Sequence, residues 1–325
     1  MVRVRRHSIP EMISPERDKF KDRLTVWEAL MTANTMCVSC LLSKQEKIIS
    51  DYLDANKKAN YIEQVQEILN SYGSSESAPA LAERINQLYR SFWGEEEDYT
   101  EIKHKYNQLL LSKESEIWSR IIHAKDCIKE CIKYVSAGNY IDFSAVENVN
   151  EQTLNTLLDR AEKESVPENE YVHFRNDLEQ TSRLVYLTDN CGEIVLDKLF
   201  IKCLQKCYPE MQIIVVVRGE AVINDATLED AKEVGLTDMV TCIGNGNAAP
   251  GTVLKRVSPE VEQLLKRADV IISKGQGNFE SLFGEGLNPY YIFLCKCELF
   301  VHRFGLQKYE SVFVREERTK TMISG

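Results

Sequence analysis

Five short stretches in the second half of the chain concentrate the side chains able to do polar chemistry, and each follows an apolar run. Asp189 and Asn190 close the first run and lead into Gly192 and Glu193; Asn224 and Asp225 come after the second; "GNGNAAPGT" comes after the third. Lys274, Gln276 and Asn278 follow the fourth run, and Lys296 follows the fifth. Asp and Asn oxygens are hard donors suited to Mg2+ or Mn2+, and no His/Cys cluster accompanies them to favour zinc. Glycines let backbone approach an anion closely, and a helix starting after Asn190 would offer unbonded N–H groups. Lysines are point-charge partners for phosphate oxygens. A cation, an anion cradle and lysines together suit phosphoryl transfer or hydrolysis.

Each stretch also has a plainer reading. Asp189-Asn190 and Asp225 both stand where a helix N-cap belongs. "KGQGNF" lacks the G-x-x-x-x-G-K-[ST] form of a phosphate loop, and "GNGNAAPG" reads as a turn. What favours a site is their arrival on one edge. The apolar runs "RLVYLTD", "QIIVVVR", "MVTCIGN", "DVIISKG" and "PYYIFLC" are Val- and Ile-rich and nearly continuous, as in parallel strands covered on both faces. Helical patterns lie between them: "EIVLDKLFIKCLQKC", "ATLEDAKEVG" and "SPEVEQLLKRA". Alternation of this kind predicts βαβ units and an α/β, doubly wound, mostly parallel sheet, whose ligands bind beyond the carboxyl ends of the strands.

The first half has a different texture. From about residue 20 to 165, "YIEQVQEILNSYG", "APALAERINQLYRSFWG", "YTEIKHKYNQLLL" and "IWSRIIHAKDCIKECIKYV" carry apolar residues at helical spacing, with Gly73 and Gly94 where helix stops belong. The expected division is a helical region over 1–165, forming a bundle or cap, and an α/β catalytic domain over 166–325.

A net charge of −10 argues against a nucleic-acid partner. No apolar run reaches membrane-spanning length, and the basic N-terminus lacks the apolar centre of a secretory signal. A cytoplasmic location is expected, with the ten cysteines reduced. Cys37 and Cys40 have C-x-x-C spacing, and Cys127 and Cys131, i and i+4 on a helix, are placed to meet them; buried thiols are the plainer alternative. Cys191, Cys203, Cys207, Cys242, Cys295 and Cys297 read as core.

"DNCGEIVLD" (189–197), "VINDATLEDA" (222–231), "ADVIISKGQGNFESL" (268–282), "SAGNYIDF" (136–143) and "CVSCLLSKQ" (37–45) together resemble the damage-control phosphatases, a metal-dependent family once grouped as a domain of unknown function. The resemblance spans about residues 30 to 315 and is nearest to the small stand-alone branch with an N-terminal C-x-x-C. It implies an α/β/α core and a divalent cation, Mn2+, Co2+, Ni2+ or Mg2+, held by Asp189, Asn190 and Asp225. It also implies substrate contacts from Gln276 and Asn278, a phosphate-binding lysine at Lys296, and a place near the pocket for Asn139 and Asp142. Glu193 either positions or deprotonates the attacking water or is a first-turn carboxylate favoured by the helix dipole. Lys274 is a second candidate for steadying the phosphate.

The function expected is hydrolysis of small phosphorylated metabolites, sugar phosphates or damaged phospho-metabolites, by a metal-dependent phosphomonoester hydrolase. A carboxyl methyltransferase using S-adenosylmethionine and a non-catalytic metabolite-binding protein are the alternatives. Against the first stands the absence of a G-x-G-x-G loop after the first strand.

Overall fold

The computed structural model describes residues 33, 35–94, 98–140 and 151–323. Among the described residues, eight helices precede the first strand: α1 (Thr35–Ile48), α2 (Ala55–Tyr72), α3 (Ala78–Trp93), α4 (Thr100–Leu111), α5 (Glu114–His123), α6 (Cys127–Gly138), α7 (Glu151–Lys163) and α8 (Glu168–Glu179). The continuous helical pattern expected over 117–135 is broken in two. Asp126 leaves helical geometry and its side chain accepts from the backbone N–H of Lys129, starting α6 afresh.

The strands are β1 (Arg183–Leu187), β2 (Gln212–Val217), β3 (Thr241–Gly244), β4 (Val270–Lys274), β5 (Tyr290–Leu294) and β6 (Ser311–Arg315). Between them run α9 (Glu193–Cys207), α10 (Leu228–Glu233), α11 (Pro259–Arg267), α12 (Gln276–Leu282) and α13 (Glu298–Phe304), and α14 (Glu316–Ile323) follows β6. They form one sheet in the order β3-β2-β1-β4-β5-β6, parallel except for β6, which pairs antiparallel with β5. The expected α/β class stands, and β6 is an addition to the five strands read from the sequence.

Every residue of β4 and β5 is buried, which is why these strands read as unbroken apolar runs. On one face, Tyr186, Val215, Ile272 and Ile292 pack with Phe200 of α9 and with helices α4 to α8. On the other, Val185, Val216, Ile271 and Phe293 pack with Val261, Phe279 and Phe300 of α11 to α13. Helices α1 to α3 have their own small core around Tyr61, Val65, Leu81 and Ile85. This bundle is tied to the α/β part by Arg256, which donates to Glu76 (2.8 Å) and Glu83.

The strand order reverses direction between β1 and β4. β1 continues into α9 on the first face and β4 into α12 on the second, so a crevice opens between the carboxyl ends of these two strands. The stretches 188–193 and 274–278 therefore lie side by side.

Phe174 on α8 is fully buried and meets the rings of Tyr290 (4.8 Å between centroids) and Phe313 (5.4 Å) edge-on, joining the helical layer to the far strands. Phe174→Ala is expected to lower unfolding free energy by about 3–5 kcal/mol in urea denaturation. A loss below about 1 kcal/mol would contradict this docking of helix on sheet.

Candidate active site

At the end of β1 the chain turns through Gly192, whose φ of +72° suits glycine, before α9 begins at Glu193. The corner is held from outside by buried Asn107 of α4, whose Oδ1 accepts from Gly192 N (2.7 Å) while its Nδ2 donates to Asp230 (3.0 Å). The stretch after β2 is drawn alongside: Ala226 N donates to Asp189 O, Cys191 N to Asn224 O, and Asn190 and Asp225 are paired across an isolated antiparallel bridge. Asp189, Asn190 and Asp225, distant in sequence, thus share one corner.

Asp189 is mostly buried, and its Oδ2 accepts from Asn139 Nδ2 and from Asn190 Nδ2, both at 2.8 Å. Its Oδ1 lies 3.8 Å from Arg218 Nη2 and accepts no hydrogen bond. Asp225 Oδ2 accepts from Arg218 Nε at 2.5 Å, and its Oδ1 is likewise unbonded among the described residues. Each aspartate keeps one oxygen for a further partner. Asn190 Oδ1 now accepts from Asn224 Nδ2 (2.7 Å); turning the amide over would present that oxygen toward Asp189 instead.

The carboxylate of Asp189 rests on Gly275. A Cβ at Gly275 would fall 2.1–2.4 Å from its carboxyl atoms, and the φ there is +84°. Only glycine allows β4 to pass this close.

Behind Asp189 lies a second layer. Glu193 is 1% exposed; its Oε2 accepts from Asn139 (3.1 Å) and its Oε1 pairs with Lys274 Nζ (3.2 Å). Lys274 is fully buried and also pairs with Asp197 (3.0 Å), which accepts from Tyr186 Oη at 2.6 Å. The expectation that Lys274 steadies a phosphate does not fit this placement, because its ammonium is consumed by two buried carboxylates. Glu193, with both oxygens engaged, faces inward rather than toward a water in the crevice.

Asn278 also departs from expectation. It is fully buried and spends every polar valence internally: Oδ1 accepts from Arg218 (3.0 Å) and Thr252 (2.8 Å), and Nδ2 donates to Thr188 O (3.0 Å) and Lys274 O (2.7 Å). It braces the crevice and offers nothing to a substrate. Gln276 is half-buried; its Oε1 accepts from the backbone N–H of Lys296 (3.0 Å) and its Nε2 donates to Glu280 (2.6 Å). Lys296 itself is exposed at the rim, near enough for its charge to favour ionised Asp189. Asn139, at the end of α6, bridges Asp189 and Glu193, while its Oδ1 accepts from Leu294 N (3.3 Å). Asp142 lies outside the described residues. The unbonded N–H groups expected at the start of α9 are taken: Gly192 N bonds Asn107, Glu193 N bonds Cys191 O and Ile194 N bonds Asn190 O.

Sequence reasoning missed Arg218 and Thr252. Arg218 is 2% exposed, grips Asp225 and Asn278, and leaves Nη2 without a hydrogen-bond partner, turned toward Asp189. The signal that could have found it was position, since it is the first residue after β2. Thr252 belongs to the β3 loop read as a turn.

Four carboxylates, Asp189, Glu193, Asp197 and Asp225, are thus gathered around two buried cations, Arg218 and Lys274. Burial, reinforced by Glu193 and Asp225, lifts Asp189 to about 7. Burial raises Asp225 against the pull of Arg218, and it raises Asp197 to about 6 against Lys274. A surplus of two buried negative charges suits neutralisation by protons or by one divalent cation, and the available donors are carboxylate and amide oxygens of the kind Mg2+ or Mn2+ takes.

A cavity of about 870 Å3 opens beside the Asp225 loop, lined by Arg90, Lys103, His104, Gly219, Ile223 and Thr227 among others. Neither Asp189 nor Lys296 lines it.

An open α/β sheet with convergent carboxylates and amides at its switch point defines a small-molecule α/β enzyme. The model of the damage-control phosphatase ARMT1-like domain matches residues 33–312, and the chain belongs to that family. A "Damage-control phosphatase" of Archaeoglobus fulgidus is 28% identical over 286 residues, 85% of this chain and 96% of the relative. "Damage-control phosphatase PH1575" of Pyrococcus horikoshii is 27% identical over 76% of this chain and 84% of its own. The crystal structure of that DUF89 family protein superposes with a TM-score of 0.71 at 25% identity, covering 87% of this chain and 99% of the other. An uncharacterized Methanocaldococcus jannaschii protein is 26% identical over 86% of this chain and 94% of its own.

The raised carboxyls carry a sign that can be tested. Between about pH 4 and 7 the folded, metal-stripped protein holds protons that the unfolded chain has released, so its stability falls as pH rises through that window. Urea unfolding of metal-stripped protein should give a free energy larger at pH 5 than at pH 8, on the order of 1–3 kcal/mol. Asp189→Asn should be more stable than the unaltered protein at pH 8 and show a flatter profile. Stability that climbs from pH 5 to pH 8 in both proteins would refute this account of the site.

Proposed function

We propose that the chain is a divalent-metal-dependent phosphomonoester hydrolase acting on small phosphorylated metabolites, sugar phosphates or damaged phospho-metabolites. The observation that carries the reading is the pair of buried aspartates, each with one oxygen unbonded, within a cluster that carries two negative charges in excess. Asp189, Asp225 and the side-chain oxygen of Asn190 would hold the cation, which supplies Lewis-acid polarisation of phosphoryl oxygens and a more acidic bound water. Mn2+, Co2+, Ni2+ and Mg2+ all suit oxygen and amide donors.

The protein's own groups do the rest. Arg218 fixes Asp225 through Nε and keeps Nη2 for an oxygen arriving between the two aspartates. Asn139 holds Asp189 and Glu193 at a fixed separation, so both stay oriented without a substrate. Lys274, buried yet pushed further toward the charged state by Asp197 and Glu193, sits between these two inner carboxylates as their counter-ion. Lys296, exposed at the mouth and without an ion pair among the described residues, would meet the incoming phosphate, and Gln276 anchors its backbone. No described helix is long and apolar enough to cross a membrane, and the partner proposed is a small phosphorylated metabolite in a cytoplasmic setting.

With Mn2+ or Co2+ present, Asp189→Ala should lower kcat/KM for p-nitrophenyl phosphate by about 10^3-fold or more while circular dichroism stays native. Lys296→Ala should raise KM several-fold with a smaller change in kcat, since the rim lysine contributes mainly binding. Undiminished turnover by Asp189→Ala would reject the assignment. A panel of phospho-metabolites assayed with each metal would then define the substrate.

A further inference from the structure

A second group of metal-ligating side chains lies at the opposite end of the helix pair that serves the carboxylate site. Cys127 and Cys131 are one turn apart on α6, and Cys203 and Cys207 are one turn apart on α9. The helices pack antiparallel: Asn139 and Glu193 meet at one end, Cys127 and Cys207 at the other. The two cysteine pairs therefore face each other, and the C-x-x-C of Cys37 and Cys40, which the sequence left open as a partner for Cys127 and Cys131, is not in the group. Nor are Cys203 and Cys207 simply core, since Cys207 is exposed.

The sulfurs of Cys127, Cys203 and Cys207 all lie within 4.8 Å of one another, and Cys127 Sγ is 3.7 Å from Cys207 Sγ. Cys131, one turn from Cys127, interacts with Cys203 but lies outside that trio, so the fourth Zn–S bond requires its side chain to turn inward. A tetrahedral ion with four thiolates at about 2.3 Å spaces its sulfurs about 3.8 Å apart. The shortest observed separation already matches that edge. The donors are all soft, with no carboxylate or imidazole in the group, which selects zinc over the hard cations suited to the other end of the helices. Cys203 sits at the hub: a hydrogen bond from Cys131, aided by others from Cys127 and Cys207 and opposed by burial, lowers it to about 7, so one thiolate is available near neutrality. Burial raises Cys207, with Arg175 opposing it, so this thiol gives up its proton only on binding. Cys131 and Cys203 are buried while Cys207 reaches solvent, which gives an ion a way in.

We propose that Cys127, Cys131, Cys203 and Cys207 form a closed, structural zinc site that staples α6 to α9. Binding forms four Zn–S bonds, and the protons of those thiols still protonated pass to solvent. The staple lies about 12–15 Å along the helices from Asn139 and Glu193, counting eight and ten residues at 1.5 Å each. It fixes the register of the two elements that meet at the carboxylate site.

The test uses the full chain purified anaerobically under reducing conditions. Zinc analysis is expected to find one equivalent per chain, and Co2+ substituted for it to give an intense sulfur-to-cobalt band in the near ultraviolet with tetrahedral visible bands. Oxygen donors produce no such band, so the readout is separate from the carboxylate site and from enzymatic activity. Cys203→Ser and Cys207→Ser should each lose the band or weaken cobalt binding at least tenfold, and the exposed position of Cys207 makes the second variant safe for folding. Cys40→Ser should bind as the unaltered chain does. Absence of the band in the unaltered protein, its persistence in both cysteine variants, or a Cys127–Cys207 disulfide in the anaerobic preparation would overturn the proposal.

Discussion

Four carboxylates buried against two cations are the constraint around which the site is arranged. Such a surplus is costly in a low-dielectric interior, and it persists only if protons or a cation balance it. The fold meets that cost locally. Arg218 and Lys274 come from the ends of β2 and β4, the strands on either side of β1, and the amides of Asn139, Asn190 and Asn278 fill valences that the carboxylates and backbone leave open. Gly275 gives up its side chain so that Asp189 can lie on the backbone of the next strand. What remains unbalanced is two charges and two aspartate oxygens, which the proposed divalent ion would match.

The sheet order explains why these groups meet. β1 and β4 are neighbours whose following helices leave on opposite faces, so their ends part and the chain after β2 folds into the gap. Of the helices before β1, α4 to α8 form the first-face layer: α4 pins the Gly192 corner through Asn107, and α6 delivers Asn139. α6 and α9 then carry hard oxygen and amide donors at one end and soft sulfur donors at the other.

Much of this was legible in the chain. Apolar runs without alternation reported strands covered on both faces, and the polar residues after each run reported the edge where they gather. Less legible was what each residue does there. Lys274, Gln276 and Asn278 follow one strand, yet alternation and burial send Lys274 and Asn278 inward as a counter-ion and a brace, and leave Gln276 half-buried to anchor Lys296. Arg218 was passed over because a lone arginine after a strand looks like a surface residue, and only the fold shows it 2% exposed. The break at Asp126 is a capping decision inside a pattern that stays helical on both sides. The facing of two C-x-x-x-C pairs depends on helix packing, which spacing within either helix does not encode.

The central claim is most directly tested by anomalous X-ray scattering from crystals soaked in Mn2+. The account predicts one manganese peak in the crevice between β1 and β4, bonded to Asp189, Asp225 and the turned side-chain oxygen of Asn190. A fully occupied peak elsewhere, or a crevice that stays without manganese at saturating concentration while the carboxylates pair among themselves, would contradict it.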